Sequence, residues 1–272
     1  MEHVIVLKCG GAALENLGAD FFESIAAMQK QGLHPVIVHG GGPAINRRLE
    51  KDRVPTEFVD GLRKTTPQVL EAVEKALTGD VRRGLVHALE KSGAPALGLT
   101  GSEHNLLQAS PVDIENLGLV GAVDTVHTKR LEELMESGCI PVIAPIASSE
   151  SHGRLNVNAD AAAAAVATAL GAGELVFVTD VDGVLREGRL EETLTESSVK
   201  TYIDQGIIYG GMIPKVKAAA ACLEGSINKV TIANGNGKNK NEDGTLKGTT
   251  VVKEHTSTDH KIEMMNNQEG QQ

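Results

Sequence analysis

The sequence predicts an α/β fold, with an open, mainly parallel central sheet and helices on both of its faces. Short apolar runs rich in β-branched residues alternate with stretches of helical periodicity along most of the chain, which is the pattern of βα units. Apolar residues make up 41% of the 272 positions, with no Trp, two Tyr and four Phe. Aliphatic strands without aromatic bulk are typical of parallel sheets that helices cover on both sides.

The elements follow in chain order. Strands are predicted at 4–7, 35–38, 96–99, 140–144, 175–179, 229–232 and 248–252. Helices are predicted at 20–31, 44–51, 68–92, 129–137, 159–171, 197–205 and 214–224. Weak alternation and many turn residues over 111–126 predict a β-hairpin excursion, and 234–247 is predicted as a surface loop.

We expect the chain to divide into an N-terminal lobe (1–172), a C-terminal lobe (173–253) and a tail (254–272). The tail has no aromatic residue and few aliphatic ones, so we predict that it is disordered.

Charge and cysteine content narrow the class of partner and the compartment. The formal net charge of −10 argues against a nucleic acid partner bound without sequence preference. Cys9, Cys139 and Cys222 lie far apart and are interpreted as small hydrophobic residues in a reducing compartment. We find neither a signal-peptide pattern nor an apolar run of roughly 18 residues, so we expect a cytoplasmic protein with no membrane partner.

Two stretches, 4–12 and 36–44, share one pattern: a hydrophobic strand, one polar residue, glycines, then a helix. Glycines at such a turn let the backbone approach a ligand and direct N–H groups at anions, although a tight turn without a ligand has the same sequence. Lys8 ends the first apolar strand, where a lysine is costly unless it meets an anion. Together the two turns predict one anion site at the carboxyl edge of the sheet.

The segment 155–160 leads into an alanine-rich helix. Asn158 is predicted as its N-cap and Asp160 lies in its first turn. Plain capping explains these residues equally well, but the run of alanines after them predicts a thin helix that lies close to the sheet and supports a site.

Two further segments carry charge at the ends of elements. The strand before Asp180 and Asp182 delivers two acids and a glycine to its carboxyl end, either as a nucleotide-contacting loop or as an Asx turn into a hairpin. Lys215 lies in the first turn of a helix that Pro214 helps to start, where the helix dipole disfavours a cation. It is either a phosphate ligand or a solvated surface lysine.

Lysines beside glycine amides, with an acid to hold them, are the parts that phosphoryl transfer needs, because its transition state spreads negative charge over oxygens. The motifs of P-loop enzymes, nicotinamide-binding Rossmann domains, serine hydrolases and zinc sites do not occur. A hydrolase that used His39 would lack its nucleophile. No catalytic base is evident, as expected if the acceptor is a carboxylate, which is already ionised at neutral pH (pKa about 4.3).

These motifs resemble the amino acid kinase family, and within it the branch that phosphorylates N-acetylglutamate. The matching pieces occur in the family's order over 4–252 and comprise residues 8–11, 38–43, 60–65, 156–160, 179–184 and 211–216. The pieces at 60–65 and 156–160 are the ones specific to that branch. The resemblance implies the amino acid kinase fold, an αβα sandwich. It also implies ATP-dependent formation of N-acetyl-L-glutamyl 5-phosphate, a step of arginine biosynthesis.

The resemblance also implies roles for individual residues. Lys8 and Lys215 would stabilise the transferring phosphoryl group, Asp160 would orient both lysines, and the amides of Gly11 and Gly41 would contact the same group. The acyl amino acid would be held by Gly41, Gly42, Arg63 (at its α-carboxylate) and Asn156. ATP would lie along Asp180, Val181, Asp182, Gly183, Val184, Leu185, Ile207, Ile208 and Tyr209. Mg²⁺ would bridge the ATP phosphates with few protein ligands.

The same resemblance assigns the acyl amino acid and the dimer contacts to the N-terminal lobe, and ATP to the C-terminal lobe. The chain starts at its first strand, without the N-terminal helix of arginine-inhibited hexameric members, so we expect a homodimer without arginine feedback.

Alternative acceptors on this fold are acetylaminoadipate and a carrier-linked acyl glutamate. A non-catalytic nucleotide-sensing relative is a further alternative. It would be expected to have lost Lys8, Asp160 or Lys215, and all three are present.

Overall fold

The computed structural model describes residues 3–223, 225 and 227–254. Its strands, labelled β1 to β16, span Val4–Cys9, His34–His39, Phe58–Val59, Leu62–Arg63, Ala96–Thr100, Leu107–Pro111, Val120–Val126, Ile140–Ala144, Ile146–Ser149, Gly153–Val157, Glu174–Thr179, Leu185–Arg186, Arg189–Leu190, Thr193–Thr195, Lys229–Asn234 and Gly248–Val252. The α-helices, labelled α1 to α8, span Ala19–Lys30, Gly42–Asp52, Pro67–Glu74, Arg82–Lys91, Lys129–Glu136, Ala159–Leu170, Glu196–Asp204 and Met212–Leu223.

The central sheet has eight strands in the order β14-β16-β15-β11-β1-β2-β8-β5. Neighbouring strands are parallel throughout except for β15 and β16, which pair antiparallel. Every strand predicted from the sequence takes part, and the prediction of an open, mainly parallel sheet is confirmed. The short strand β14, which was not predicted from the sequence, completes one edge.

The alternation of side chains along β1 decides where Lys8 points. Val4 and Val6 belong to the apolar core that includes the buried alanines of α6. Ile5 and Leu7 belong to the opposite core, which includes residues of α1. Successive side chains of a strand point to opposite faces, so Lys8 lies on the α6 side of the sheet.

A second β structure packs beside the sheet: β10, β7, β6 and β9 form a closed four-stranded barrel. The hairpin predicted at 111–126 corresponds to the antiparallel pair β6 and β7, whose ladder starts earlier, at Leu107. Strands β9 and β10 were not predicted from the sequence, because they are short and lie next to polar turns. Strand β10 ends at Val157, directly before α6, so the barrel sets the start of that helix.

The long helix predicted at 68–92 is α3 and α4 joined by a π-helical segment, Lys75–Val81. A π segment accommodates an extra residue in a helix and is frequent near functional sites. Here it packs on the second glycine turn: a Cβ added to Gly41 would lie 2.6 Å from Cδ2 of Leu77 and 3.2 Å from Cγ2 of Val81.

The loop between β15 and β16, predicted as a surface excursion, packs on α1 instead. Gly237 adopts a φ of +68°. A Cβ added to it would overlap the backbone of Phe21, so there is no space for a side chain. Leu246, near the end of the loop, is buried.

Three other predictions concern the tail, membrane-spanning helices and the cysteines. The predicted disordered tail lies outside the described residues except for Glu254. Among the described residues, no helix is both long and apolar enough to cross a membrane. Cys9 is buried, while Cys139 and Cys222 are partly buried, and all three are free thiols.

Candidate active site

The two glycine turns meet at the carboxyl edge of the sheet, as the sequence predicted. The amide of Gly40 donates a hydrogen bond to the carbonyl oxygen of Cys9 at 2.7 Å. A Cβ added to Gly40 would lie 3.5 Å from Cβ of Ala159 and 3.7 Å from Cα of Gly10. The ends of β1 and β2 and the start of α6 therefore converge at one point, around residues that have little or no side chain.

Lys8 lies at this point and forms an ion pair with Asp160, 2.8 Å from Nζ to Oδ1, with 16% of the lysine side chain exposed. Its ammonium group lies over Gly10, where an added Cβ would be 2.7 Å from Cε of the lysine and closer still to Nζ. Asn158 caps α6, as predicted: its Oδ1 accepts from the amides of Asp160 and Ala161 at 2.8 and 3.2 Å. The cap places Asp160 in the first helical turn, facing the sheet.

The remaining glycines of the two turns differ in what they require. Gly11 has a φ of +59°, in the left-handed region that favours glycine, and nothing lies within 4 Å of an added Cβ. Gly41 has a φ of 169° and a ψ of 31°, and a side chain there would overlap Leu77. Gly42 begins α2, whose first N–H groups have no acceptor within the helix, as at any helix N-terminus.

His39, the residue before the second glycine turn, is fully buried. Its Nδ1 lies 2.9 Å from the carbonyl oxygen of Gly40. Its Nε2 has no hydrogen-bond partner among the described residues. Burial, with a smaller contribution from the positive charge of Arg82, lowers the pKa of His39 to about 4, so the ring is neutral at neutral pH.

Arg63 lies on the β3–β4 hairpin, near the start of α2. Its Nη1 donates to Oγ1 of Thr56 at 2.5 Å and its Nη2 to Oδ1 of Asn46 at 2.6 Å. The guanidinium carbon lies 4.5 Å from the ring centroid of Phe58, the residue opposite Arg63 in the hairpin. Partial burial lowers the pKa of Arg63. A guanidinium that is held through both Nη atoms and stacked on an aromatic ring is preorganised to bind a carboxylate.

Asn156 is joined to Arg63 through Thr65, which is fully buried. Nδ2 of Asn156 donates to Oγ1 of Thr65 at 3.1 Å, and this hydroxyl donates to the carbonyl oxygen of Arg63 at 2.8 Å. The two residues predicted to hold the acyl amino acid therefore belong to one hydrogen-bonded network.

A cleft of about 550 Å³ opens at the end of β11. All of the residues predicted to lie along the nucleotide line it, together with Gly211, Met212, Lys215 and Asn234: Asp180, Val181, Asp182, Gly183, Val184, Leu185, Ile207, Ile208 and Tyr209.

The loop that forms the floor of this cleft is fixed by side chains whose role was not predicted from the sequence. Oγ1 of Thr249, a fully buried residue, accepts from the amide of Val184 at 2.8 Å. Gly183 has a φ of +134°, and an added Cβ would lie 2.5 Å from that same oxygen. Asn234 donates to Oδ1 of Asp182 at 2.7 Å. These partners come from β15 and β16, far along the chain, and no local pattern marks them.

Lys215 lies in the first turn of α8, as predicted. Its ion-pair partner is not Asp160, which the resemblance assigned to both lysines. Its Nζ lies 2.9 Å from Oδ1 of Asp180, whereas Asp160 pairs with Lys8. The hydrogen bond from Lys215 holds the pKa of Asp180 below its usual range. Burial, with a smaller contribution from the negative charge of Asp160, raises the pKa of Cys222 in α8 to about 11. Each lysine thus has its own acid, because β11 ends beside the start of α8.

The described residues contain no group of three or more His, Cys, Asp or Glu side chains that could hold a metal ion. Two lysines and the backbone amides of the glycine turns can bind anions at this edge, and Arg63 offers a further cation on the β3–β4 hairpin.

A family profile, curated relatives and a solved structure all match most of this chain. The profile described as "Amino acid kinase family" matches residues 3–234. The acetylglutamate kinases of Geobacillus kaustophilus (strain HTA426) and Halalkalibacterium halodurans are each 46% identical to this chain over 254 residues, covering 93% of this chain and 98% of theirs. The crystal structure of smu.665 from Streptococcus mutans UA159 superposes with a TM-score of 0.78 at 36% identity, covering 93% of this chain and 99% of that one.

Proposed function

We infer that this chain, which belongs to the amino acid kinase family, phosphorylates the side-chain carboxylate of N-acetyl-L-glutamate. The observation that carries this function is the position of Lys8, which Asp160 holds over Gly10 at the point where both glycine turns meet. The relatives named acetylglutamate kinase, similar over nearly their whole length, support the same acceptor.

In the reaction, a carboxylate oxygen of the acceptor attacks the γ-phosphorus of ATP as the bond to the departing ADP oxygen breaks. The products are an acyl phosphate and ADP. No proton has to be removed from the acceptor, because a glutamate side chain is ionised at neutral pH. The enzyme has to neutralise and orient negative charge, and Lys8, Lys215 and the amides of Gly11 and Gly41 are the groups we assign to that task.

We assign specificity for the acceptor to residues of the N-terminal lobe. We assign the α-carboxylate to Arg63 and the rest of the acyl amino acid to Asn156, Gly41 and Gly42. The preorganised guanidinium and its link to Asn156 through Thr65 support this assignment. A fork of N–H donors matches a carboxylate in two hydrogen bonds, which a lysine does not.

The cleft at the end of β11 is the site we assign to ATP. Its volume suits a nucleotide, and its floor is a loop of backbone fixed by Thr249. Lys215 lies at the cleft, where it can exchange Asp180 for a phosphate oxygen. Mg²⁺, when bound with ATP, would neutralise phosphate charge. Asp180 and Asp182, which line the same cleft, are the carboxylates that would offer oxygen ligands to it.

We further propose a homodimer that works in the cytoplasm. Strand β5 forms one edge of the main sheet, and Leu97 on it is exposed, which suits pairing with a second copy. The free thiols suit a reducing compartment. The molar mass measured by light scattering tests the dimer: a monomer at micromolar concentration would refute it.

An acceptor screen tests the function. Hydroxylamine converts an acyl phosphate into a hydroxamate, so its colour with Fe³⁺ reports phosphorylation of a carboxylate. The panel contains N-acetyl-L-glutamate, L-glutamate, N-acetyl-L-aspartate, acetylaminoadipate and a carrier-linked acyl glutamate, each with ATP and Mg²⁺. We expect N-acetyl-L-glutamate to give the highest kcat/KM.

The matched control is the Lys8→Ala variant purified in the same way. Its kcat should be lower by about 10²-fold or more, as when other charge-stabilising groups are removed. Equal activity of this variant would mean that a contaminating kinase produced the signal. Activity with L-glutamate or a carrier-linked acceptor, and none with N-acetyl-L-glutamate, would contradict the assignment.

A further inference from the structure

We propose that His39 is a positioning residue for phosphoryl transfer: it fixes the direction in which the amide of Gly41 points. The inference rests on the proposed function. It concerns a buried ring that the reaction as described above does not use.

The hydrogen bond from His39 determines its tautomer. The carbonyl oxygen of Gly40 can only accept a hydrogen bond, so Nδ1, 2.9 Å away, must carry the hydrogen. Nε2 is then a bare acceptor, and it has no partner among the described residues.

The geometry of the peptide bond converts this contact into an orientation. The carbonyl of Gly40 and the N–H of Gly41 belong to the same peptide unit. No peptide among the described residues is cis, and in a planar trans unit the two groups point in opposite directions. The ring of His39 lies in the interior and holds the Gly40 oxygen there. The N–H of Gly41 must therefore point away from the interior, toward the side on which we place the phosphoryl group.

The preceding peptide is held as well, because the amide of Gly40 donates to the carbonyl of Cys9 at the end of β1. Glycines on both sides make this turn intrinsically free to rotate. Without the histidine, the Cys9 contact would still hold the two turns together, but the Gly40–Gly41 peptide would lose the bond that sets its plane.

The unpartnered Nε2 shows that packing alone does not explain the residue. A buried acceptor without a partner costs free energy, and an apolar side chain of similar volume would avoid that cost. What histidine supplies over an apolar residue at this position is the bond from Nδ1.

Two substitutions separate the hydrogen bond from the packing. Asn has a donor at the same branch position as Nδ1, and Leu has the same branched shape without a donor. We expect His39→Leu to lower kcat roughly 10- to 100-fold, since losing one donor to a developing oxyanion costs about 10²- to 10³-fold and here the donor is only misdirected. The KM values for acceptor and ATP should stay within about threefold, and His39→Asn should retain kcat within about threefold of the parent.

Thermal unfolding and ADP affinity of both variants are measured first, to establish that each is folded. A kcat of His39→Leu close to that of the parent would overturn the proposal. So would equal losses in folded His39→Leu and His39→Asn, which would indicate packing, or a change confined to KM.

Nitrogen NMR of protein labelled in its histidines gives a test that needs no variant to fold well and no knowledge of the acceptor. We expect the buried histidine that does not titrate between pH 6 and 8 to be protonated at Nδ1. Protonation at Nε2 would refute the inference. If the acceptor screen identifies a different acid, the kinetic comparison is repeated with that acid, so failure of the proposed function remains distinct from failure of this inference.

Discussion

Substitution of Gly10 by alanine should damage catalysis while leaving the fold intact. Gly10 has a φ of −152° and a ψ of 174°, an extended conformation that alanine adopts without strain. The added Cβ would lie 2.7 Å from Cε of Lys8 and closer to its Nζ. The atoms in conflict are the end of a flexible side chain, so the lysine moves and the backbone does not.

The size of the effect follows from that displacement. Ordinary contact begins near 3.4 Å, so Cε retreats from 2.7 Å by roughly 0.7 Å and the ammonium nitrogen by roughly 1 Å. At an effective dielectric constant of about 20, lengthening a unit-charge contact from about 3 to about 4 Å weakens it by about 1.4 kcal/mol, or about tenfold in rate. Misplacement by about 1 Å in an active site can reach 10²-fold. We therefore expect kcat to fall 10- to 100-fold.

The assay combines hydroxamate formation with urea unfolding. Gly84→Ala is the matched control: Gly84 is exposed in α4, with nothing within 4 Å of an added Cβ. Alanine there should leave kcat unchanged and raise stability by about 0.5–1 kcal/mol, the difference in helix propensity. A Gly10→Ala protein with kcat within twofold of the parent would refute the role of the Lys8 position. A loss of stability above about 1 kcal/mol would show that the backbone, not the lysine, gave way.

Other predictions test the acceptor site, the cleft and the buried histidine. Arg63→Lys keeps the charge but loses the fork of donors, so KM for N-acetyl-L-glutamate should rise about tenfold or more with a smaller change in kcat, and an unchanged KM would move the carboxylate contact elsewhere. Thr249→Val leaves the buried amide of Val184 without its acceptor, at a cost of about 1–3 kcal/mol. It should raise KM for ATP more than KM for the acceptor; a Thr249→Ser variant that behaves like the valine variant would argue against the hydroxyl. Because the folded protein protonates His39 only near pH 4, whereas an unfolded chain does so near 6.5, unfolding takes up a proton between these values and stability falls as pH falls. Urea titrations should show the parent losing about 3 kcal/mol more than His39→Asn between pH 7 and 4, and parallel curves would contradict this.

The features that the sequence predicted correctly depend on neighbours in the chain. The strand segments, the cap by Asn158 and the lysine in the first turn of α8 all follow from periodicity or local backbone chemistry. The residues that the resemblance assigned to ATP line one cleft, and their contact with ATP stays a prediction. The roles assigned to Arg63 and Asn156 came from resemblance to a family and remain assignments to be tested.

The features that were missed depend on residues far apart in sequence. Strands β9 and β10 become strands by closing a barrel with β6 and β7, which no local pattern shows. One acid was expected to hold both lysines, but Lys215 pairs with Asp180. This pairing depends on which strand ends beside α8. An ion pair forms between side chains that approach within about 4 Å, and spacing along a chain does not specify that distance.

The two glycine turns show where sequence and tertiary structure divide. The sequence by itself determined that an apolar strand ending in Lys8 and another ending in His39 each lead into glycines, because backbone freedom and the cost of a charge in an apolar strand are local properties. Only the tertiary structure decided that Gly40 packs on Gly10, that Asp160 takes Lys8, and that the ring of His39 holds the Gly40 carbonyl. Those contacts exist because parallel strands bring their carboxyl ends to a single edge, where groups distant in the chain come within hydrogen-bonding distance.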